Sequence, residues 1–208
     1  KIIDSHHILL LLIHYLCAYK KMTGKIVVSF SVTNKVKNLA DHYGLETVIT
    51  KIGFKYIAEL MITEDVLVAG EESGGLAIKG HIPERDGVWI SLTILEFMAS
   101  TGKTITQLIE EVYHIVGGFS YDRLDLKLSH EQMDKVKEKL STTQFDTFGP
   151  HKVILYENLD GDKFYFENDC WIMFRLSGTE PVLRIYAQGE TDEKVIDLLS
   201  AARTTLGL

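Results

Sequence analysis

Val66-Leu67-Val68-Ala69-Gly70-Glu71-Glu72-Ser73-Gly74-Gly75 reads as a short buried strand running straight into a glycine-rich, acidic loop. An apolar run of this length, closed by glycine, is the strand of a sheet covered on both faces. Open α/β sheets bind ligands at the carboxyl ends of their strands, and at this end two carboxylates meet a hydroxyl. Outward from the loop, strand and helix patterns alternate. Ile8, Leu11, Leu12, Tyr15, Leu16 and Tyr19 recur at helical spacing up to Gly24, and Ile26 to Phe30 is a strand. Thr33 and Asn34 can cap a helix carrying Val36, Leu39, Ala40 and Tyr43. Glu46 to Thr50 reads as a strand, Phe54 to Met61 as a short helix, and Val88 to Ser100 and Ile105 to Val116 as longer ones, the last opened by a Thr104-x-x-Gln107 capping box. The alternation predicts a mixed, mostly parallel α/β/α domain over residues 1–117.

Gly117-Gly118 marks a change of pattern. Leu124, Leu126 and Leu128 alternate with Arg123, Asp125 and Lys127, the mark of a half-exposed strand, and Ser129-x-x-Gln132 opens a helix to Leu140. Strands are expected near Val153 to Glu157, Lys163 to Glu167, Cys170 to Leu176 and Val182 to Gln188, before a last helix carrying Val195, Leu198, Leu199 and Ala202. Strands grouped between two helices predict a smaller α+β domain, residues 118–208, with an antiparallel sheet and two helices.

The chain has 208 residues and a net charge of −7, from 22 Lys and Arg against 29 Asp and Glu. The acids are scattered, which argues against nucleic acid as a partner and requires any anion site to be a local basic cluster. The two cysteines, Cys17 and Cys170, lie far apart and outside any metal-ligand spacing, so two reduced thiols and a cytoplasmic setting are expected. The apolar run Ile8 to Tyr19 is interrupted by His14 and is shorter than the ~20 residues of a spanning helix. It is expected to be a buried amphipathic helix, with no membrane partner.

Arg175-Leu176-Ser177-Gly178-Thr179-Glu180-Pro181, with Arg184, lies between two of the expected strands. Two guanidinium groups, two hydroxyls and a glycine that admits backbone N–H groups are what a tetrahedral dianion needs. Taken alone, Ser-Gly-Thr-Glu-Pro is equally ordinary turn chemistry. The Glu71 loop also has two readings: a solvated glycine-rich turn, or a loop in which a carboxylate accepts from adjacent sugar hydroxyls. Gly102-Lys103-Thr104 is not a phosphate loop, because Phe97 stands where the first glycine belongs and a helix precedes it. Asp160-Gly161-Asp162 lacks the later ligands of a calcium loop and is expected to be a hairpin turn.

The Arg175 loop resembles the phosphate-binding signature of the α-D-phosphohexomutases, the phosphoglucomutase and phosphomannomutase family. The segment Gly70 to Gly75, followed by Gly80-His81-Ile82-Pro83-Glu84-Arg85-Asp86-Gly87, resembles a second signature, in the family's order. Thr50-Lys51-Ile52-Gly53-Phe54-Lys55-Tyr56-Ile57 is similar to a third segment, and the resemblance covers essentially the whole chain. It implies that residues 1–117 are a sugar-recognition domain with Glu71, Ser73, Lys55, His81 and Arg85 near the substrate, and Glu72 the non-contacting acid. Arg85 stands where the family often has Lys, and without the family Lys55 is a surface lysine. Residues 118–208 would then bind the non-transferring phosphate through Arg175, Ser177, Gly178, Thr179 and Arg184, across a gap shared with the sugar rim and closed by a hinged domain.

The resemblance also implies a phosphorylated hexose substrate, and a phosphoryl transfer through an enzyme phosphoserine and Mg²⁺. The family's Ser-His-Asn-Pro-like and Asp-x-Asp-x-Asp-Arg loops do not occur in these residues. Lys1-Ile2-Ile3-Asp4-Ser5 resembles the segment that follows the metal loop, and the chain starts with Lys1. The expectation is a C-terminal half, missing its N-terminal domains and inactive alone. Glucose or mannose phosphate is favoured over glucosamine phosphate, whose recognition loop usually carries Gln or Met at the Glu72 position and a closing His. A non-catalytic sugar-phosphate binding protein is the remaining alternative.

Overall fold

Two sheets organise the chain. The computed structural model describes residues 3–177 and 180–208. It divides into two compact units, Lys1–Gly117 and Gly118–Leu208.

In the first unit, α1 (Ser5–His14) continues through a π turn at Tyr15–Tyr19 and is followed by β1 (Lys25–Ser29), α2 (Lys35–His42), β2 (Thr47–Thr50), α3 (Phe54–Thr63), β3 (Val66–Gly70), β4 (Leu76–Ile78), α4 (Gly87–Thr101) and α5 (Ile105–Val116). The strand order is β2-β1-β3-β4. β1 runs parallel to both neighbours, and β4 is antiparallel to β3. α1 departs from the amphipathic expectation: every residue from Leu9 to Leu16 is buried. It touches α2, α4, α5 and β3, so no side is left for water and the polar stripe of a surface helix has no place. The capping box at Thr104 and Gln107 forms with both reciprocal bonds. At α2, Asn34 makes no side-chain cap, and Thr33 Oγ1 instead accepts from the Lys35 amide at 3.2 Å.

The second unit contains β5 (Ser120–Lys127), α6 (His130–Thr142), the two-residue strands β6 (Thr147–Phe148) and β7 (His151–Lys152), then β8 (Leu155–Glu157), β9 (Asp162–Tyr165), β10 (Trp171–Leu176), β11 (Val182–Gly189) and α7 (Asp192–Leu206). Its main sheet is ordered β5-β11-β10-β9-β8, and every pairing is antiparallel. Alternation decides which face meets the helices. Phe164, Ile172, Phe174, Leu183, Ile185 and Ala187 join Val136, Leu140, Val195, Leu198 and Ala202 of the two helices in one core. The intervening residues of β5, β10 and β11, among them Asp125, Arg175 and Arg184, project from the opposite face.

Cys17 and Cys170 are not disulfide-bonded, and burial pushes the Cys17 thiol up to about 11. No helix among the described residues is long and apolar enough to cross a membrane.

Candidate functional site

In a sheet ordered β2-β1-β3, the chain leaves β1 on one side and returns on the other. The crevice where ligands enter such sheets opens between the carboxyl ends of β1 and β3. β3 ends at Gly70, so Glu71 and Glu72 fall at this crevice, and β1 ends at Ser29 beside it. The loop is closed by its own backbone: the Glu71 N–H donates to Gly75 O at 3.0 Å, and the Gly74 N–H to Glu71 O at 3.2 Å. Glu71 is only 5% exposed, and its Oε1 accepts the Gly53 N–H at 2.8 Å, which ties the loop to the start of α3. Glu72 points elsewhere. Its Oε2 accepts from the buried Ser31 hydroxyl and, at 3.4 Å, from Ser29, so it braces the end of β3 against the end of β1.

Gly75 makes room for two of the expected residues at once. A Cβ built there would lie 2.7 Å from Arg85 Cδ and 3.2 Å from Glu71 Oε2. Arg85 Cζ stands 5.3 Å from the Phe54 ring centre. Glu71, Arg85 and the Gly53-Phe54 start of α3 therefore converge. Lys55 is exposed one residue further on, with Nζ 4.7 Å from the Tyr56 ring centre, and Ser73 is exposed in the loop. His81 is engaged with the start of α4: its Nε2 donates to Asp86 Oδ2 at 2.8 Å, and its ring stacks on Trp89 at 4.6 Å. Asp86 Oδ1 meanwhile accepts from the Val88 and Trp89 amides, both at 3.0 Å, and so caps α4. The Trp89 amide bond, followed by the His81 bond and then by the Val88 amide, holds the Asp86 carboxyl below its ordinary range.

In the second unit the connection between β10 and β11 carries the arginines. Arg175 on β10 lies directly opposite Arg184 on β11, and Arg184 lies directly opposite Asp125 on β5. Residues directly opposite share a face, so Asp125, Arg184 and Arg175 form one row across three strands. Arg175 Nε approaches Asp160 Oδ2 at 3.5 Å, and Arg184 Nε approaches Asp125 Oδ2 at 3.9 Å. Arg123 Nε reaches the other oxygen of Asp125 at 2.9 Å. Both arginines of the row are partly exposed. Ser177 begins the loop, its N–H donating to Val182 O at 2.9 Å and its Oγ accepting from the Glu180 N–H at 3.4 Å. Gly178 and Thr179 lie outside the described residues.

The sequence reading missed Asp125, Asp160 and the Ser31–Glu72 brace, because each joins strands or turns far apart in the chain. It also missed Lys163, which lies next along the sheet from this row. Lys163 is 3% exposed, with Nζ 3.9 Å from the Trp171 ring centre. Burial pushes its ammonium down to about 7, against the opposing pull of Glu157.

The fold and these residues define a parallel-sheet unit with an acidic loop at its switch point, joined to an antiparallel unit bearing a row of arginines. The chain belongs to the phosphoglucomutase/phosphomannomutase family: the family's alpha/beta/alpha domain III matches residues 4–116, and its C-terminal domain matches residues 125–204. A phosphoglucomutase/phosphomannomutase of Thermococcus kodakarensis is 27% identical over 176 residues, covering 85% of this chain and 36% of its own length. A phosphoglucosamine/phosphogalactosamine mutase of Sulfurisphaera tokodaii is 29% identical over 184 residues, covering 86% of this chain and 37% of its own. The crystal structure of a Thermus thermophilus protein described as a phosphomannomutase superposes with a TM-score of 0.82 at 32% identity, covering 99% of this chain and 41% of that one. The chain thus spans about two fifths of the length of these relatives. Among the described residues no group of three or more His, Cys, Asp or Glu is placed to hold a metal ion.

Proposed function

We propose that this chain supplies the hexose-binding and phosphate-binding parts of a phosphohexomutase that interconverts 1-phospho and 6-phospho hexoses. The observation that carries the reading is the pairing of Arg175 and Arg184 directly across two strands beside the Ser177 loop. Like charges placed opposite each other on a sheet cost about 0.2–1 kcal/mol, and a phosphate between them turns that cost into two charge-assisted contacts. Ser177, Gly178 and Thr179 complete the phosphate cradle. In the first unit, Glu71 and Ser73 read the hexose hydroxyls, with Glu71 Oε2 turned to the same side as Arg85. Lys55 and Arg85 are the basic groups of that rim, and His81 acts through the Asp86 cap.

The phosphoryl transfer itself belongs to the serine and metal loops of the longer enzyme. Positioning without a nucleophile and a charge-neutralising cation cannot transfer phosphate, so the chain alone is expected to bind and not to turn over. Glucose and mannose phosphates are the favoured ligands on the Gly74-Gly75 end of the loop. A glucosamine phosphate preference is the second reading, supported by the name of the Sulfurisphaera relative. Isothermal titration of glucose 1-phosphate, mannose 1-phosphate and glucosamine 1-phosphate into the chain ranks the three. No heat with any of them, at millimolar ligand, defeats the binding reading.

A further inference from the structure

The turn Asp160-Gly161-Asp162 joins β8 to β9, and its first residue faces an arginine of the phosphate row. Gly161 brings it there. Its φ is +114°, and a Cβ built on it would lie 2.5 Å from Phe174 O and 3.4 Å from Arg175 Cβ. A turn residue with any side chain would be strained in its backbone and pushed away from β10. With glycine, the turn lies flat against the strand, and Asp160 reaches Arg175 through Nε at 3.5 Å. One strand over the geometry differs: Asp125 Oδ2 is 3.9 Å from Arg184 Nε, too far for a hydrogen bond, and that Nε is buried without a hydrogen-bond partner. Arg175 is thus the arginine of the row that an aspartate meets at Nε within 3.5 Å. A guanidinium has five N–H donors in a planar fork, one of them on Nε and two on each Nη. A carboxylate at the Nε edge leaves Nη1 and Nη2 to meet a phosphate in bidentate fashion.

We propose that Asp160 is a positioning residue for Arg175, holding the Nε edge of its guanidinium so that the two Nη groups are presented to the ligand's phosphate. The inference rests on the reading of the arginine row as a phosphate site. Two effects of Asp160 oppose each other. Its charge repels an incoming phosphate, and its contact removes rotamer freedom that Arg175 would otherwise lose on binding. The repulsion acts through solvent between partly exposed groups and is screened over about 8 Å at physiological salt. The ordering of a long side chain is not screened. It corresponds to about a two- to tenfold gain in affinity for one immobilised side chain, and we take it to dominate at ~0.15 M salt and above.

The test is isothermal titration of glucose 1-phosphate, at ~0.15 M salt, into the 208-residue chain and four variants: Asp160→Ala, Asp160→Asn, Arg175→Ala and the Asp160→Ala/Arg175→Ala double variant. Asp160→Ala is expected to weaken binding about two- to tenfold. Asp160→Asn, which keeps an oxygen for Nε, recovers most of that loss. The double variant binds no more weakly than Arg175→Ala alone, because a residue that acts through Arg175 has nothing left to position. Binding by Asp160→Ala equal to or tighter than the parent chain overturns the positioning role. So does a loss that adds in full to that of Arg175→Ala, which marks a general structural effect. Parent-like binding by Arg175→Ala, or no binding by the parent, instead defeats the phosphate-site reading itself and the inference with it.

Discussion

Glu71 in the first unit is buried and takes its hydrogen bond from a backbone amide, whereas Arg175 and Arg184 in the second are partly exposed and faced by aspartates. The acid is held by the main chain at a switch point, so its position is fixed when the strands fold. The arginines lie on the sheet face turned away from α6 and α7, at its partly exposed end beyond the buried Trp171, Met173 and Tyr186, and side-chain charge faces them there. A buried carboxylate that serves the fold cannot be removed without destabilising it. A half-exposed guanidinium can be lost at little cost to stability, and the loss falls on binding. The same difference separates Lys163, buried against Trp171, from the arginines two residues along β10 and β11.

The strongest effect expected from this contrast concerns Lys163. With a folded-state value near 7 against an ordinary 10.5, the unfolded chain holds a proton that the folded chain has shed between those limits. Stability should therefore rise as pH increases from about 7 towards 10.5 and be lowest below 7. Melting temperatures of the parent and Lys163→Met across roughly pH 6 to 10 check this, with Lys163→Met more stable at the acid end and flat in its profile. A parent curve that is itself flat in this window contradicts the depressed ammonium.

Next comes Arg175→Ala. One charge-assisted bond contributes about 1.5–3 kcal/mol, so affinity for a sugar phosphate should fall at least about tenfold. Its melting temperature should stay close to that of the parent. A large drop in melting temperature would show that the partly exposed arginine serves the fold, and would break the comparison.

Glu71→Ala is expected to do the reverse. It leaves the Gly53 amide without its acceptor, a loss of about 1–3 kcal/mol in stability. Glu71→Gln retains an oxygen for that amide and should restore the fold without restoring hexose binding. Chemical denaturation and titration of the two variants side by side separate the roles. The smallest effect is at the brace: Ser31→Ala removes one hydroxyl donor from Glu72 and should cost about 0.5–1.5 kcal/mol, with sugar-phosphate affinity within about twofold of the parent. A larger loss of affinity would mean that Glu72 holds the recognition loop in shape.

Much of this was legible in the chain. Val66 to Gly70 declares itself as a buried strand by an unbroken apolar run, the strand expected over Ile26 to Phe30 by its shorter apolar stretch Ile26 to Val28, and the β10–β11 connection by the polar loop between two apolar segments. β4 is not legible because Leu76–Ile78 is three residues long and follows a glycine-rich loop, so no period can establish itself. β6 and β7 are shorter still. The burial of α1 is legible but its lack of a polar side is not, because spacing records which residues are apolar, not how many neighbours surround the helix. In the candidate site, the groups on a single loop were readable. The aspartates that face the arginines were not, since a cross-strand partner is set by register and leaves no local mark in the sequence.

Gly75 carries a last consequence. Its missing side chain is the space that Arg85 Cδ and Glu71 Oε2 occupy, so positions 75 and 85 are a single choice made twice along the chain. A lineage that enlarges residue 75 must shorten or redirect the base at 85, and exchange at either position alone should be rarer than exchange at both.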